Sequence, residues 1–321
     1  MISVVVIGAR GYTGAELLPL LYRHPQFEIA AVGSSSVAGQ PVAAHVEGMD
    51  DCGLVFADLR PEDMQALDVD ACILALPNGF AAEFVAVLDR CHPETVIVDL
   101  SADHRFDPGW TYGQPERFGA ELREATRIAN PGCYATGAQL ALAPLLDDLI
   151  GLPVIFGVSG YSGAGSKASR KNDPEVLADN LLPYSLVDHV HEKESSFHLG
   201  RDVRFMPHVA PFFRGISLTV ASELKTAVSE ESLLLRFRDF YAHCPLIEVR
   251  AGMPEVKEVR GTHGLILGGF SVSSIHTRRM SMVSVLDNLL KGAATQAVQN
   301  LNLAFGLDAM TGLGSWRGTK T

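Results

Sequence analysis

Cys133 stands in the run Ile128-Ala-Asn-Pro-Gly-Cys-Tyr134, where a strand-like apolar segment breaks at Pro131-Gly132 and a long apolar-periodic stretch begins directly after the thiol. The pattern predicts a cysteine at the mouth of a helix. Unpaired N–H groups and the positive end of the helix dipole favour thiolate there, which suits a nucleophile near neutral pH. A buried apolar cysteine is the other reading of the same residue. Further groups could serve such a thiol. In Val158-Ser-Gly-Tyr-Ser-Gly-Ala-Gly165, Ser159 and Ser162 lie among glycines, a composition that suits a nest of backbone N–H groups around an oxyanion and equally a flexible turn. Arg105 follows a strand end in Asp99-Leu-Ser-Ala-Asp-His-Arg105, and Arg214 lies in Met206-Pro-His-Val-Ala-Pro-Phe-Phe-Arg-Gly215. Either guanidinium is suited to a phosphate or carboxylate, or to a surface ion pair. His189 and His191, in Asp188-His-Val-His-Glu-Lys-Glu194, alternate and would share a face in extended backbone. One is a candidate acid/base, with Glu194 to orient it. A His-x-His pair is also half a metal site, but no further ligand set accompanies it, and no metal is expected.

A second constellation opens the chain. Val4-Val-Val-Ile-Gly8-Ala-Arg-Gly11-Tyr-Thr-Gly14 reads as a strand, a glycine-rich turn and a helix start. Backbone there can approach a pyrophosphate, which then lies on the helix N-terminus. Gly8, Arg10, Gly11, Tyr12, Thr13 and Gly14 are therefore candidate contacts for a dinucleotide. The second strand ends in Val32-Gly-Ser-Ser-Ser36, without the acidic residue that takes the ribose hydroxyls of NAD. Ser34, Ser35 and Ser36 accept a 2′-phosphate that a carboxylate would repel, which favours NADP(H), although three serines also make an ordinary polar loop. Ala75-Leu-Pro-Asn-Gly79 closes another strand on the same expected sheet edge, and Pro77 and Gly163 complete the cofactor-side candidates.

These residues need rigid elements behind them. Near-continuous apolar runs at Val4 to Ile7, Ile29 to Val32, Ala71 to Leu76 and Thr95 to Asp99 alternate with amphipathic stretches at Ala15 to Tyr22 and Ala81 to Leu88. That rhythm gives an α/β fold with a doubly wound parallel sheet. Pro19 falls inside the first helix and predicts a kink or a late start. After Cys133 the strand candidates are longer, at Pro153 to Ser159, Gly215 to Leu224 and Gly264 to Ser274, and read as an α+β substrate domain. Asp287 to Phe305 reads as a helix, and the Gly- and Thr-rich tail from Asp308 to Thr321 as mobile. The expected division is 1–132, together with a helix at about 287–321, for the cofactor domain and 133–286 for the catalytic, substrate and dimerisation domain.

A net charge of -11 over 321 residues argues against nucleic acid as a partner. An anionic small molecule would need a few local donors within that field. Five cysteines without CxxC spacing disfavour disulfides and structural zinc. With no leader-like start and no apolar run of membrane length, a cytoplasmic protein is expected, neither exported nor bound to membrane.

Taken in order, Gly8 to Gly14, Asp99 to Arg105, Tyr112-Gly-Gln-Pro-Glu116, Asn130 to Tyr134, Ser159 to Gly165, His189 to Glu194, Pro207 to Gly215 and Asp287-Asn-Leu-Leu-Lys-Gly292 span nearly the whole chain. The set resembles the N-acetyl-gamma-glutamyl-phosphate reductases of arginine biosynthesis, members of the semialdehyde dehydrogenase superfamily. The resemblance implies an NADP-binding Rossmann domain, a second domain joined through the cysteine helix, a C-terminal helix returning to the first domain, and homodimers or homotetramers. It also implies reductive dephosphorylation of an acyl phosphate through a thioacyl intermediate on Cys133. His191 and Glu194 match the histidine and glutamate of the family's His-Arg-His-x-Pro-Glu pattern, while Val190 and Lys193 replace its arginine and proline, and Asn78 stands where many members have histidine. Asn130 joins Arg105, Ser159, Ser162 and Arg214 as substrate-binding candidates. The alternatives are a related reductase for an aspartate or aminoadipate semialdehyde, and a non-catalytic NADP-binding redox sensor.

Overall fold

The computed structural model describes residues 1–314 and 316, which fall into two units, Met1–Pro131 with Ala293–Gly314, and Gly132–Gly292 with Trp316.

The first unit opens with β1 (Ile2–Ile7), where Val4, Val5 and Val6 are all fully buried. A strand with no polar alternation is stable only when both faces of its sheet are covered. Alternation continues through α1 (Tyr12–Tyr22), β2 (Phe27–Gly33), β3 (Phe56–Ala57), β4 (Ala71–Leu74), α2 (Ala81–Cys91), β5 (Val96–Asp99), β6 (Thr111–Tyr112), α3 (Pro115–Leu122) and β7 (Arg127–Ala129). The seven strands lie in the order β3-β2-β1-β4-β5-β7-β6 and every pairing is parallel. Successive side chains of β1 serve opposite layers: Val4 and Val6 join Leu17, Leu18 and Ile73, whereas Val5 and Ile7 join Leu74, Phe84 and Leu88. Winding reverses between β1 and β4, so the carboxyl ends of these strands bound the crevice in which ligands settle in such sheets.

Helix α1 runs from Tyr12 to Tyr22 with Pro19 inside it, so the start is not delayed. Burial of Leu17, Leu18 and Leu21 on one face outweighs the bond that Pro19 cannot donate.

The second unit contains α4 (Cys133–Leu142), β8 (Leu149–Gly160), α5 (Pro174–Leu177), β9 (Leu182–Pro183), α6 (Val190–Leu199), β10 (Arg204–Ala210), β11 (Ile216–Leu224), α7 (Glu230–Phe240), β12 (Ile247–Val249), α8 (Val256–Val259), β13 (Leu265–Val272) and β14 (Arg279–Leu286). Its sheet is mixed, in the order β12-β13-β14-β11-β8-β10-β9, with β11 antiparallel to both β8 and β14 and β10 parallel to β8. Tyr134 and Ala138 of α4 and Leu233 and Phe237 of α7 pack with Ile155, Leu218, Val220 and Leu265 of the sheet. Phe156, Thr219 and Ala221, which alternate with these along β8 and β11, are exposed.

Strands β10 and β14 and helices α6 and α7 add to the elements expected from sequence. In β10, Pro207 obscures a strand pattern; it is tolerated because β9 pairs only with His208 and Val209.

After β14, a π turn at Leu290–Ala294 precedes α9 (Thr295–Ala304), which belongs to the first unit and buries Ala297, Val298 and Leu301 in its core. The helix expected from Asp287 starts later because the Asp287 carboxylate accepts the amides of Leu289 and Leu290. Residues 308–314, expected to be mobile, are instead tied down. Asn302 donates to the carbonyls of Ala309 (3.3 Å) and Thr311 (2.8 Å), His24 Nε2 lies 3.0 Å from the Thr311 carbonyl, and Leu313 is buried. The rest of the expected mobile tail, 315 and 317–321, lies outside the described residues. Among the described residues, no helix is long and apolar enough to cross a membrane.

Candidate active site

Cys133 is the first residue of α4, capped by the extended Gly132, and its thiol is half-buried and free of any disulfide. The turn that precedes α9 presses against it. A Cβ at Gly292 would lie 2.6 Å from the Cys133 Cβ, so only glycine permits this approach. From α6, the fully buried Glu194 accepts the Gly132 amide at 2.8 Å and thereby fixes the residue that caps the cysteine helix.

The histidines do not sit in extended backbone. His189 is the N-cap of α6 and His191 lies in its first turn, because the His189 ring takes the place of a capping oxygen: its Nδ1 accepts the His191 amide at 3.1 Å. Their rings still meet, with centroids 4.9 Å apart. Tyr134, the residue after the thiol, lies 6.5 Å from the His189 ring and 5.9 Å from the His191 ring. Tyr184, just after β9, completes the group at 5.4 Å from His189. Burial, and secondarily the Lys171 charge, pull His189 down to about 4, so its imidazole is neutral near pH 7. Burial also holds the Tyr184 hydroxyl in its protonated form, an effect strengthened by the neighbouring Cys133 charge. Neither Tyr184 nor Lys171 was signalled by spacing or motif.

Several expected groups have structural partners. Arg214 is gripped by Asp287, with Nε to Oδ2 at 2.6 Å and Nη2 to Oδ1 at 3.0 Å, and Asp287 is fully buried. Arg105, also buried, donates from Nε to the Asn130 carbonyl (3.0 Å) and from Nη2 to the Leu100 carbonyl (2.9 Å). Asn130 accepts from Asn300 at 2.9 Å and donates to the Ala293 carbonyl at 3.4 Å. Ser159 donates to the Gly160 carbonyl and Ser162 accepts from Asn288, at 2.8 and 2.9 Å. The nest of amides expected around these serines does not form from residues 160–162 and 165. Gly160, Tyr161 and Ser162 donate to the carbonyls of Gly215, Phe212 and Phe213, and Gly165 donates to that of Ser162. The amides that open α4 remain as candidate oxyanion donors beside the Cys133 thiol.

In the first unit, the amides of Gly8 and Ala9 both donate to the Gly33 carbonyl, at 2.9 and 3.1 Å, which sets the glycine turn against the end of β2. Gly8 has φ +81°, and a Cβ there would lie 2.4 Å from the Ala75 carbonyl oxygen. Gly11 caps α1 with no side chain, and no acidic residue occupies the first turn with Tyr12, Thr13 and Gly14. Arg10, Ser35 and Ser36 are exposed and Ser34 is half-buried, with Ser34 and Ser36 hydroxyls 3.4 Å apart. A close backbone turn at a helix start, set against the end of β2 from which the hydroxyls of 34–36 follow, fits a dinucleotide bearing a 2′-phosphate. Pro77 lies in the loop after β4, where Asn78 accepts the Ala102 amide and the Asp103 carboxylate accepts that of Gly79. Gly163, expected on the cofactor side, belongs to the second unit and packs near Ser159 Oγ.

Residues 3–125 match the family model described as semialdehyde dehydrogenase, NAD binding domain, and residues 133–288 match semialdehyde dehydrogenase, dimerisation domain. N-acetyl-gamma-glutamyl-phosphate reductase of Xanthomonas campestris pv. campestris (strain B100) is 51% identical to this chain, covering 97% of it and 98% of that protein. Aspartate semialdehyde dehydrogenase II of Vibrio cholerae, solved with ASA, has the same fold, with TM-score 0.77 at 20% identity over 94% of this chain and 98% of its own. The aspartate semialdehyde dehydrogenase of Candida albicans, solved with NADP, gives 0.74 at 17% identity over 95% and 99%.

Proposed function

The chain belongs to the N-acetyl-gamma-glutamyl-phosphate reductases of the semialdehyde dehydrogenase family, and from this premise we propose that it reduces N-acetyl-gamma-glutamyl phosphate to N-acetylglutamate 5-semialdehyde, with NADPH, in arginine biosynthesis. The observation that carries the mechanism is the cysteine at the first position of α4, with its capping amide held by Glu194. Cys133 Sγ attacks the acyl carbonyl, the amides opening α4 stabilise the oxyanion, and phosphate departs with the electrons of the broken C–O bond. NADPH, when bound, supplies the hydride that reduces the thioacyl carbon. His191 holds the proton that the oxygen takes as the thiohemiacetal forms and returns as the aldehyde is released and the thiolate reforms. His189 is suited to a different task, since its Nδ1 is occupied in capping α6 and its ring is neutral at working pH. Glu194 acts through position, by way of Gly132.

Gly8 to Gly14 and Ser34 to Ser36 would hold the pyrophosphate and the 2′-phosphate, and the first unit is read as the NADP domain. The second unit is read as the substrate and dimerisation domain, with the exposed sheet face around Phe156 as the surface that pairs with another copy. Five free cysteines suit a reducing cytoplasm.

The test is phosphate-dependent reduction of NADP with N-acetylglutamate semialdehyde, run in the reverse direction to avoid the labile acyl phosphate. Activity is expected, and Cys133→Ser should lower it by roughly 10³-fold or more while NADPH binding persists. A Cys133→Ser enzyme near the parent rate would remove the covalent step, and activity only with aspartate semialdehyde would move the substrate.

A further inference from the structure

A substrate that carries both a phosphate and a carboxylate, bound by a chain of net charge -11, asks for a cation at the reacting end of the second unit. The arginines expected to supply it have other work. Asp287 grips Arg214 through two hydrogen bonds, and Arg105 donates to the carbonyls of Leu100 and Asn130.

Lys171 is placed differently. It lies in the connection between β8 and α5, half-buried, and its Nζ stands 4.8 Å from the centroid of the Tyr184 ring. That ring meets His189, and His189 meets both His191 and Tyr134, the residue next to the thiol. The Tyr134 hydroxyl in turn donates to the His208 carbonyl at 2.8 Å. The connection is also electrostatic: the Lys171 charge is felt at His189, and the Cys133 charge at Tyr184. Among the described residues, Lys171 forms no ion pair and no side-chain hydrogen bond. An ammonium seated on an aromatic face keeps its N–H donors for an oxygen ligand on the other side. Two residues flanking the aromatic group, Ser185 at φ +42° and Asp188 at φ +58°, adopt the left-handed backbone that non-glycine residues rarely enter. Strain of this kind concentrates where a side chain must be held for function, and here it lies in the short connection between Tyr184 and His189.

We propose that Lys171, on its Tyr184 platform beside His189, is the anion receptor of the substrate and binds either the carboxylate of the acylamino-acid portion or the phosphate group. The inference rests on the reductase reading above. It makes Lys171 a substrate-binding residue that sets specificity, distinct from the groups that perform the bond changes.

The reverse reaction separates the two anions, because phosphate and aldehyde are then independent substrates. Lys171→Met keeps much of the stem on the ring and removes the charge. It is expected to raise one KM by about tenfold or more, with kcat changed by less than about threefold, and Lys171→Arg should recover most of the loss. A rise in the KM for N-acetylglutamate semialdehyde assigns the carboxylate, and a rise in the KM for inorganic phosphate assigns the phosphate. Both KM values within about twofold of the parent would overturn the proposal. Amine-reactive labelling of the unmodified enzyme, read by mass spectrometry, provides a check that needs no variant. Lys171 should be protected by phosphate or by N-acetylglutamate, and labelling indifferent to both would also overturn it. An inactive parent enzyme would instead remove the reductase reading, so the two failures are distinct.

Discussion

At the scale of single residues, the site is set by what surrounds each ionisable group. Cys72, fully enclosed in β4, is pushed up to about 12 by burial and by the Asp99 charge, which leaves it a thiol, whereas Cys133 lies half-buried at a helix mouth. Glu194 is fully buried and accepts the Gly132 amide. Glu194→Ala strands that amide and should cost about 1–3 kcal/mol in urea denaturation, while Glu194→Gln retains an acceptor oxygen and should stay nearer the parent. His189 gives a pH signature. Its midpoint in the folded protein, about 4, is below the ordinary 6.5, so between those values the unfolded chain takes up the proton and the native state does not. Stability from this group therefore falls as pH drops from about 6.5 to about 4 and then levels off. An NMR titration of the imidazole should find the low midpoint, and Lys171→Met should raise it. Cys133 was legible in sequence because Pro131-Gly132 announces a strand end and a helix start on consecutive residues. Arg214 looked available because its partner Asp287 is 73 residues away, and Lys171 and Tyr184 meet through folding that no local spacing encodes.

At the scale of elements, the cysteine helix is positioned by two others, α6 through Glu194 and the π turn before α9 through Gly292. Gly292→Ala places a methyl group against Cys133 Cβ and must displace either the turn or the helix start. A shift of a reacting atom by a fraction of an ångström to an ångström is enough for a loss on the order of 10²-fold in kcat/KM. The expected outcome is such a loss with a cooperative thermal transition retained, measured side by side. Strands β1, β2, β4 and β5 of the first unit could be read directly, since each carries a short apolar run, whereas β3 and β6, of two residues each, could not. Strand β14 could not: its buried positions include Ser284 between Met282 and Leu286, so the inward row mixes polar and apolar residues. Helix α6 was hidden for a related reason, because its cap is a histidine ring rather than one of the usual small oxygen-bearing side chains.

At the scale of the whole molecule, an uncovered sheet face and a chain divided between two units remain to be interpreted. Phe156 lies exposed in the middle of β8, with its ring 4.4 Å from that of His208 on the neighbouring strand. Phe156→Arg should leave the folded core intact and shift light-scattering mass toward the single chain; an unchanged mass would assign pairing to another surface. The first unit is assembled from residues 1–131 and 293–314, so its last core helix leaves the ribosome only after the whole second unit. At ordinary rates of synthesis the gap is roughly ten to thirty seconds, long enough for the second unit to collapse first. Through that interval the apolar layer that awaits Ala297, Val298 and Leu301 is open to water. A nascent chain of this design is exposed to aggregation at its amino-terminal half until its carboxyl-terminal end arrives, and premature termination near residue 290 would damage the part that was made first.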